Sequence, residues 1–378
     1  MLSPPPASML AHFAALDDPR VSPATRHQLL DIVAIALCAV ICGADTWVEV
    51  EAFGQAKRDW LETFLALPHG IPSHDTFGRV FAALDPDQFE AGFRSWVVAV
   101  AQLSAGAVVA IDGKTLRRSH DAAQGKGALV LVSAWAEANH LALGQVAVAE
   151  GSNEIPAIPA LLQQLTLAGS IVTVDAIGCQ TAIATQITQQ DADYVLALKE
   201  NQPTLHAAVA VLFTAGQATG VGTDHQDYRR TVEKGHGRIE VRQVWTVDDP
   251  EVIAYLNPDG AWPNLRSVAM VVAERRRGAE SSRETRYYLS SLPGDATRVG
   301  AAIRGHWGIE NRLHWVLDIA FREDESRVRQ GHADQNLAVL RRLALNLLRQ
   351  ETTARMGTKA KRLKAGWDHA YLLKLLAG

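Results

Sequence analysis

GAVVAID, residues 106–112, is a short apolar run closed by an acid, and it marks where this 378-residue chain turns from helical to strand-like patterning. Two more runs of the same kind follow, GALVLVSAWAEANH (127–140) and LALGQVAVAE (141–150), with Asn139-His140 at the turn between them. NEIPAIPALLQQLTLAG (153–169) then has helical period, its Pro156 and Pro159 tolerable only in or before a first turn. SIVTVDAIGCQ (170–180) is a buried strand that again ends in an acid, TAIATQITQQ (181–190) a helix, and DYVLALKENQ (193–202) one more strand. Strand, strand, strand, helix, strand, helix, strand is an order few folds share. It predicts an α/β class core, a ribonuclease-H-like mixed sheet flanked by helices, with three antiparallel strands ahead of the parallel part.

Outward from this core, the chain divides into four parts. Residues 1–104 are expected to form an all-helical N-terminal domain, broken at DDPRVSPATRH (17–27), LPHGIPSH (67–74) and LDPDQF (84–89), where Pro and Gly cluster. Within it SHDTFGRVFAAL (73–84), with Ser73 as N-cap, is a candidate second helix of a helix-turn-helix, although this part carries 6 Lys/Arg against 12 Asp/Glu. The first part of the core takes 105–204, and a β-rich insertion takes 205–296 through RIEVRQVWTV, SVAMVVAERRR and ETRYYLSSL. The last part, 297–378, is helical and basic; from residue 300 it holds 14 Lys/Arg against 8 Asp/Glu, which makes it the place to look for a polyanion. No internal repeat or low-complexity tract interrupts this order.

Composition narrows the class. With 48% apolar and 21% charged residues the chain is neither disordered nor fibrous. Cys38, Cys42 and Cys179 are too few for a disulfide framework or a four-cysteine zinc site. LLDIVAIALCAVICGA (29–44) is the most apolar run, but the stretch between Asp31 and Asp45 is shorter than a membrane span, so a buried helix is expected. The start MLSPPPAS lacks a secretory leader's pattern, so a cytoplasmic location and no membrane partner are expected.

Two strands end in aspartates, Asp112 and Asp175. Each alone reads more readily as a turn residue or helix cap, but the carboxyl ends of neighbouring strands are where functional groups converge. Carboxylates brought together repel unless a cation separates them, and a pair of Mg²⁺ ions on oxygen ligands would both hold them and drive in-line attack on a phosphodiester. That chemistry needs a third acid. GHWGIENRLHWVLD (305–318), taken as a helix, stacks His306, Glu310 and His314 on one face beside a row of Trp307, Asn311 and Trp315. The zincin pattern fails here because the glutamate stands midway between histidines eight apart. Glu310 is the candidate third acid, because a helix packed beside the sheet could deliver it to the same mouth; its rivals are Asp318, Glu323, Asp324 and Glu325, which are expected to pair with Arg322, Arg327 and Arg329.

AIDGKTLRRS, VTVDAIGCQ, VLALKENQP, KGHGRIEVR and IRGHWGIENRLHWVLDIAFREDESR resemble, in this order and over nearly the whole chain, the blocks of a bacterial insertion-sequence DDE transposase of the H-repeat-associated type, with its N-terminal transposase-associated domain. The resemblance implies a catalytic triad of Asp112, Asp175 and Glu310 that binds two Mg²⁺, with Mn²⁺ able to substitute. It implies a homodimer or larger assembly that recognises the element's terminal inverted repeats in double-stranded DNA, cuts them and joins them to target DNA. DNA contacts are expected from Lys114, Arg117 and Arg118 after the first aspartate, from Lys199, Asn201 and Gln202 after the last core strand, and from Arg238 in the insertion. On the Glu310 segment, Arg304, His306, Asn311, Arg312 and His314 are expected to meet phosphates, the two histidines alternatively orienting the glutamate, and Trp307 or Trp315 to stack on an unstacked base or pack on the sheet. The wider class often carries Y-x-x-R-x-x-x-E-x-x-x-x-x-x-K around its glutamate; the flanking positions here are Ile303, His306 and Leu317. A nuclease of the same fold that does not join strands, and a catalytically idle DNA-binding repressor of the same descent, are the alternatives.

Overall fold

The computed structural model describes residues 9–20, 25–101, 103–123, 125–219, 225–235, 237–278 and 280–377, without the side chains of 215–219. The MLSPPPAS start and part of the break at 17–27 lie outside these residues.

The apolar run at 29–44 becomes helix α1, Leu29–Cys42, with 12 of its 14 residues buried and its end turned by Gly43 at φ 117°. Asp31, buried in this helix, accepts the Leu67 N–H at 3.3 Å. No single described helix is long and apolar enough to cross a membrane, while α1 and α2 (Trp47–Ala56) pass on length and composition only as a pair bent by 96°. A capping box between Thr46 and Glu49 starts α2. The short α3 (Arg58–Leu61) and then α4 (His74–Ala83) follow. Ser73 does stand at the N-cap of α4, but its hydroxyl lies 3.2 Å from Thr76 Oγ1 and caps no backbone N–H. Phe77, Val80 and Phe81 bury the inner face of α4, where Trp47 stacks on Phe81. Asp85 caps α5, Pro86–Val100, and Pro86 occupies its first turn.

Among the described residues, nine strands form one mixed sheet. In chain order they are β1 (Val108–Thr115), β2 (Val130–Ala136), β3 (Leu141–Ala147), β4 (Ile171–Val174), β5 (Asp193–Leu198), β6 (Gln226–Gly235), β7 (Arg238–Val247), β8 (Ser267–Arg277) and β9 (Glu280–Ser290). Their order across the sheet is β3-β2-β1-β4-β5-β9-β8-β7-β6. β1, β2 and β3 are antiparallel neighbours, and β4 and β5 run parallel to β1. The segment expected to interrupt the core instead extends it, because β9 pairs antiparallel with β5 and carries the other three strands outward.

Helix α6 (Glu154–Gln163) packs on β2 and β3, α7 (Thr181–Gln189) on β5, and α10 (Ala296–Gly308) across β1 and β4. Two helices, α8 (Pro203–Thr219) and α9 (Pro250–Leu256), lie within the β-rich stretch, where the sequence pattern suggested only turns and strands. Helix α11 (Trp315–Phe321) precedes α12 (Ala333–Gln350), which packs against α1, α4, α5 and β3; α13 (Thr358–Trp367) and α14 (His369–Ala377) close the chain. Asn346 of α12 exchanges two hydrogen bonds with the Ala142 backbone, at 2.9 and 2.8 Å, and so satisfies the outer edge of β3.

Beneath the sheet lies a buried charge network. Arg342 and Glu323, both with fully buried side chains, pair at 3.0 Å, and Lys114 reaches Glu323 at 3.4 Å.

Candidate functional site

Strand register builds the site. Ile111 of β1 pairs with Val174 of β4 in parallel, so the next residue on each strand, Asp112 and Asp175, emerges side by side at the carboxyl edge. A cavity of about 280 Å³ opens there, lined by Asp112, Asp175 and Glu310 together with His306, Trp307, Lys199 and Arg286. The three acids, distant in sequence, thus share one cavity.

Asp175 is electrostatically stressed. Burial, and then the Asp112 charge, raise the pKa of Asp175 against the opposing hydrogen bond from the Gly178 N–H. A further acid sits in the same field. Glu154, the first residue of α6, has its pKa raised by burial and then by Asp175 and Asp112. Its carboxylate lies over the backbone of Gly113, where a Cβ would stand 2.1 Å from Glu154 Oε1, so any larger residue after Asp112 would push the carboxylate from this place. Sequence reasoning passed over Glu154 because an acid in a first helical turn is ordinary dipole pairing; the glycine immediately after a strand-ending acid was the available signal.

Among the described residues, no Lys or Arg pairs with Asp112, Asp175, Glu154 or Glu310, and no three His, Cys, Asp or Glu side chains stand close enough together to hold a metal ion as placed. Hard oxygen donors without a protein counter-cation are a donor set that fits a divalent ion of the Mg²⁺ type.

The segment carrying Glu310 departs from the expected uninterrupted α-helix. It widens into a π-helical turn over Ile309–His314 between α10 and α11. The single face expected for His306, Glu310 and His314 is therefore lost. His306 Nδ1 lies 3.0 Å from Thr173 Oγ1 on β4, His314 Nδ1 lies 3.4 Å from Asp112 Oδ2, and Glu310 is exposed at the cavity wall. Burial lowers the pKa of His306 against the pull of Asp112, Asp175 and Glu310.

The remaining candidates separate by what they touch. Lys114 is not open to a phosphate: its side chain is 9% exposed and is shared among Asp318, Glu323 and Asp324. The rival acids are thereby accounted for, one with an expected partner and the others not: Glu325 pairs with Arg322 as expected, whereas Asp324 also meets Arg117 at 3.3 Å and Glu323 meets Arg342. Arg117 and Arg118 are exposed beyond the mouth, and Lys199 stands exposed on the cavity wall. Asn201 and Gln202 donate to the Ala176 and Cys179 carbonyls at 2.6 and 3.1 Å, bracing the turn that follows Asp175. Arg238 pairs with Glu240 at the β6–β7 turn and does not line the cavity. Arg304 pairs with Glu233, Arg312 with Glu137, and Asn311 donates to the Trp307 carbonyl. The Arg286 guanidinium sits 4.6 Å over the Trp307 ring, whereas Trp315 is 60% exposed.

The family profile described as "Transposase DDE domain" matches residues 104–347, and that described as "DDE_Tnp_1-associated" matches residues 10–97. The chain is 38% identical over 374 residues to "Putative transposase YncI" of Escherichia coli O157:H7, covering 98% of this chain and 94% of that protein. It is 36% identical over 374 residues to "H repeat-associated putative transposase YhhI" of Escherichia coli (strain K12), covering 98% of each. A loose structural likeness, TM-score 0.39 at 9% identity, extends over 98% of this chain and 77% of a piggyBac transposase in its synaptic complex with hairpin DNA.

Proposed function

This chain belongs to the transposase DDE-domain family, in its H repeat-associated branch, and from that premise we propose that it cuts the ends of an insertion sequence and joins them to target DNA. One observation carries this reading: Asp112, Asp175 and Glu310 line a single cavity although they come from β1, the end of β4 and the π turn. A ribonuclease-H-like core is supported by the order β3-β2-β1-β4-β5, in which β2 is antiparallel and β4 and β5 are parallel to β1.

In this reading Asp112, Asp175 and Glu310 hold two Mg²⁺, for which Mn²⁺ substitutes. When bound, such ions activate an attacking hydroxyl or water on one side of a phosphodiester and stabilise the leaving oxygen on the other. Lys199 on the cavity wall, with Arg117 and Arg118 outside it, meets backbone phosphates of the DNA. Trp315, exposed one turn beyond Glu310, is the indole free to stack on an unstacked base; Trp307 is covered by Arg286. The terminal inverted repeats are the DNA bound, two ends being brought together by at least two copies of the chain, in the bacterial cytoplasm at the nucleoid.

A strand-joining assay tests the proposal. Full-length protein is mixed with a precut duplex carrying the element's own end and a supercoiled target, with Mg²⁺ or Mn²⁺. Joined product that disappears in Asp112→Asn is expected. Cut but unjoined DNA would mean a nuclease, and DNA binding without any scission in either metal would mean an idle binding protein.

A further inference from the structure

We propose that His314 is a positioning residue for Asp112, and that the π turn exists to put it there. The inference rests on the reading of Asp112 as a metal ligand.

Helix geometry supplies the first step. At 100° per residue, a residue eight positions on in an unbroken α-helix lies about 80° around the axis from its start. One residue absorbed in a π turn reduces the effective spacing to seven, which brings the two within about 20° of each other. His306 and His314 are eight apart and the π turn lies between them, so both face the sheet. Each meets a different acid-bearing strand: His306 bonds Thr173, two residues before Asp175 on β4, and His314 approaches Asp112 at the end of β1. Glu310, midway, is left on the outer side of the widened turn, at the cavity. Gly305 allows the close seat this requires, since a Cβ there would come 3.1 Å from Val108 Cγ1 of β1.

The second step is the ring itself. His314 is 7% exposed, and its other ring nitrogen, Nε2, is buried with no hydrogen-bond partner. The ring is therefore held by packing, and its one polar engagement is Nδ1 toward Asp112 Oδ2 at 3.4 Å. With the hydrogen placed on Nδ1, the ring turns an N–H toward Oδ2 at ion-pair distance rather than in a formed hydrogen bond. Without that donor, the Asp112 carboxylate is free to turn about its side-chain torsions away from the like charge of Asp175. A partner that fixes the orientation of a ligating carboxylate typically changes metal affinity about 10- to 100-fold.

The test uses the full chain, Mn²⁺ titrated alone and read by the electron paramagnetic resonance of the free ion, with melting and DNA binding measured in chelator. Two substitutions are compared: His314→Phe, which keeps a ring without a donor, and His314→Asn, whose side-chain amide offers a donor near the place of Nδ1. Expected is an affinity loss of about tenfold or more in His314→Phe and substantial recovery in His314→Asn, with metal-free melting and DNA binding near the parent in both. Parent-like Mn²⁺ affinity in His314→Phe overturns the proposal, as does equal weakening in both variants. If His314→Phe fails to fold, His314→Asn decides: weakening as severe as that of Asp112→Asn overturns the proposal. Asp112→Asn separates the two levels of argument. If it leaves Mn²⁺ binding intact, or if the parent binds no Mn²⁺, the metal-site reading itself fails; if it alone weakens binding, only the role of His314 fails.

Discussion

Replacing Glu323 by glutamine should cost the fold heavily while hardly changing its volume. The side chain is fully buried beneath the sheet, 3.0 Å from the Arg342 guanidinium and 3.4 Å from the Lys114 ammonium. Burial by itself would raise its pKa, but Arg342, Lys114 and Arg341 outweigh that and hold it at about 2, against 4.5 for a free glutamate. A depression of this size corresponds to roughly 3 kcal/mol of stability at neutral pH. Because the folded value is the lower one, the contribution is complete above about pH 4.5 and drains away as the pH falls toward 2. Glu323→Gln also strands two buried arginines without their counter-charge, an uncompensated state that typically costs about 3–5 kcal/mol. Urea unfolding followed by tryptophan fluorescence should therefore show a gap of roughly 3 kcal/mol between parent and variant at pH 7, more than half of it gone by about pH 3. A gap below about 0.5 kcal/mol at pH 7, or one that stays constant across this range, would refute the reasoning.

Three other outcomes follow from the same geometry. Asp175→Asn should raise the metal-free melting temperature, because a carboxylate whose folded pKa is raised costs stability above that pKa and the amide removes the cost; it should also abolish strand joining, and a lower melting temperature would contradict the electrostatic account. Asn346→Ala should destabilise by about 2–4 kcal/mol, since it leaves both the N–H and the C=O of buried Ala142 unsatisfied, as checked by denaturant titration. Arg117→Ala, Arg118→Ala and Lys199→Ala should each flatten the log-log salt dependence of DNA binding by about one unit, whereas Lys114→Ala should leave that slope unchanged and lower stability instead.

How much was visible beforehand follows from which interactions are local. The apolar runs of β1 to β5 and the all-round apolar α1 announce themselves through composition and period, because a buried strand or helix must be built from such residues wherever it lies. The aspartates at two strand ends are legible for the same reason: a change from apolar run to acid marks an edge. Strand β6 escaped because its residues are exposed on both sides and show no alternation. Helix α8 escaped because it follows β5 directly, inside a stretch dominated by strand patterns.

What the tertiary structure alone decided concerns partners far apart in the chain. Whether Lys114 faces DNA or a buried cluster depends on Asp318 and Glu323, about two hundred positions away. The entry of Glu154 into the acid field depends on the start of α6 bringing that side chain over Gly113. The π turn at Ile309–His314 leaves no mark in local propensity, since a widened turn costs backbone hydrogen-bond geometry and persists only where contacts repay it. Here those contacts are Thr173 and Asp112 on two strands whose adjacency is itself a product of the sheet. Period and polarity fix which segments are buried and where charge surfaces; only packing fixes which charges meet.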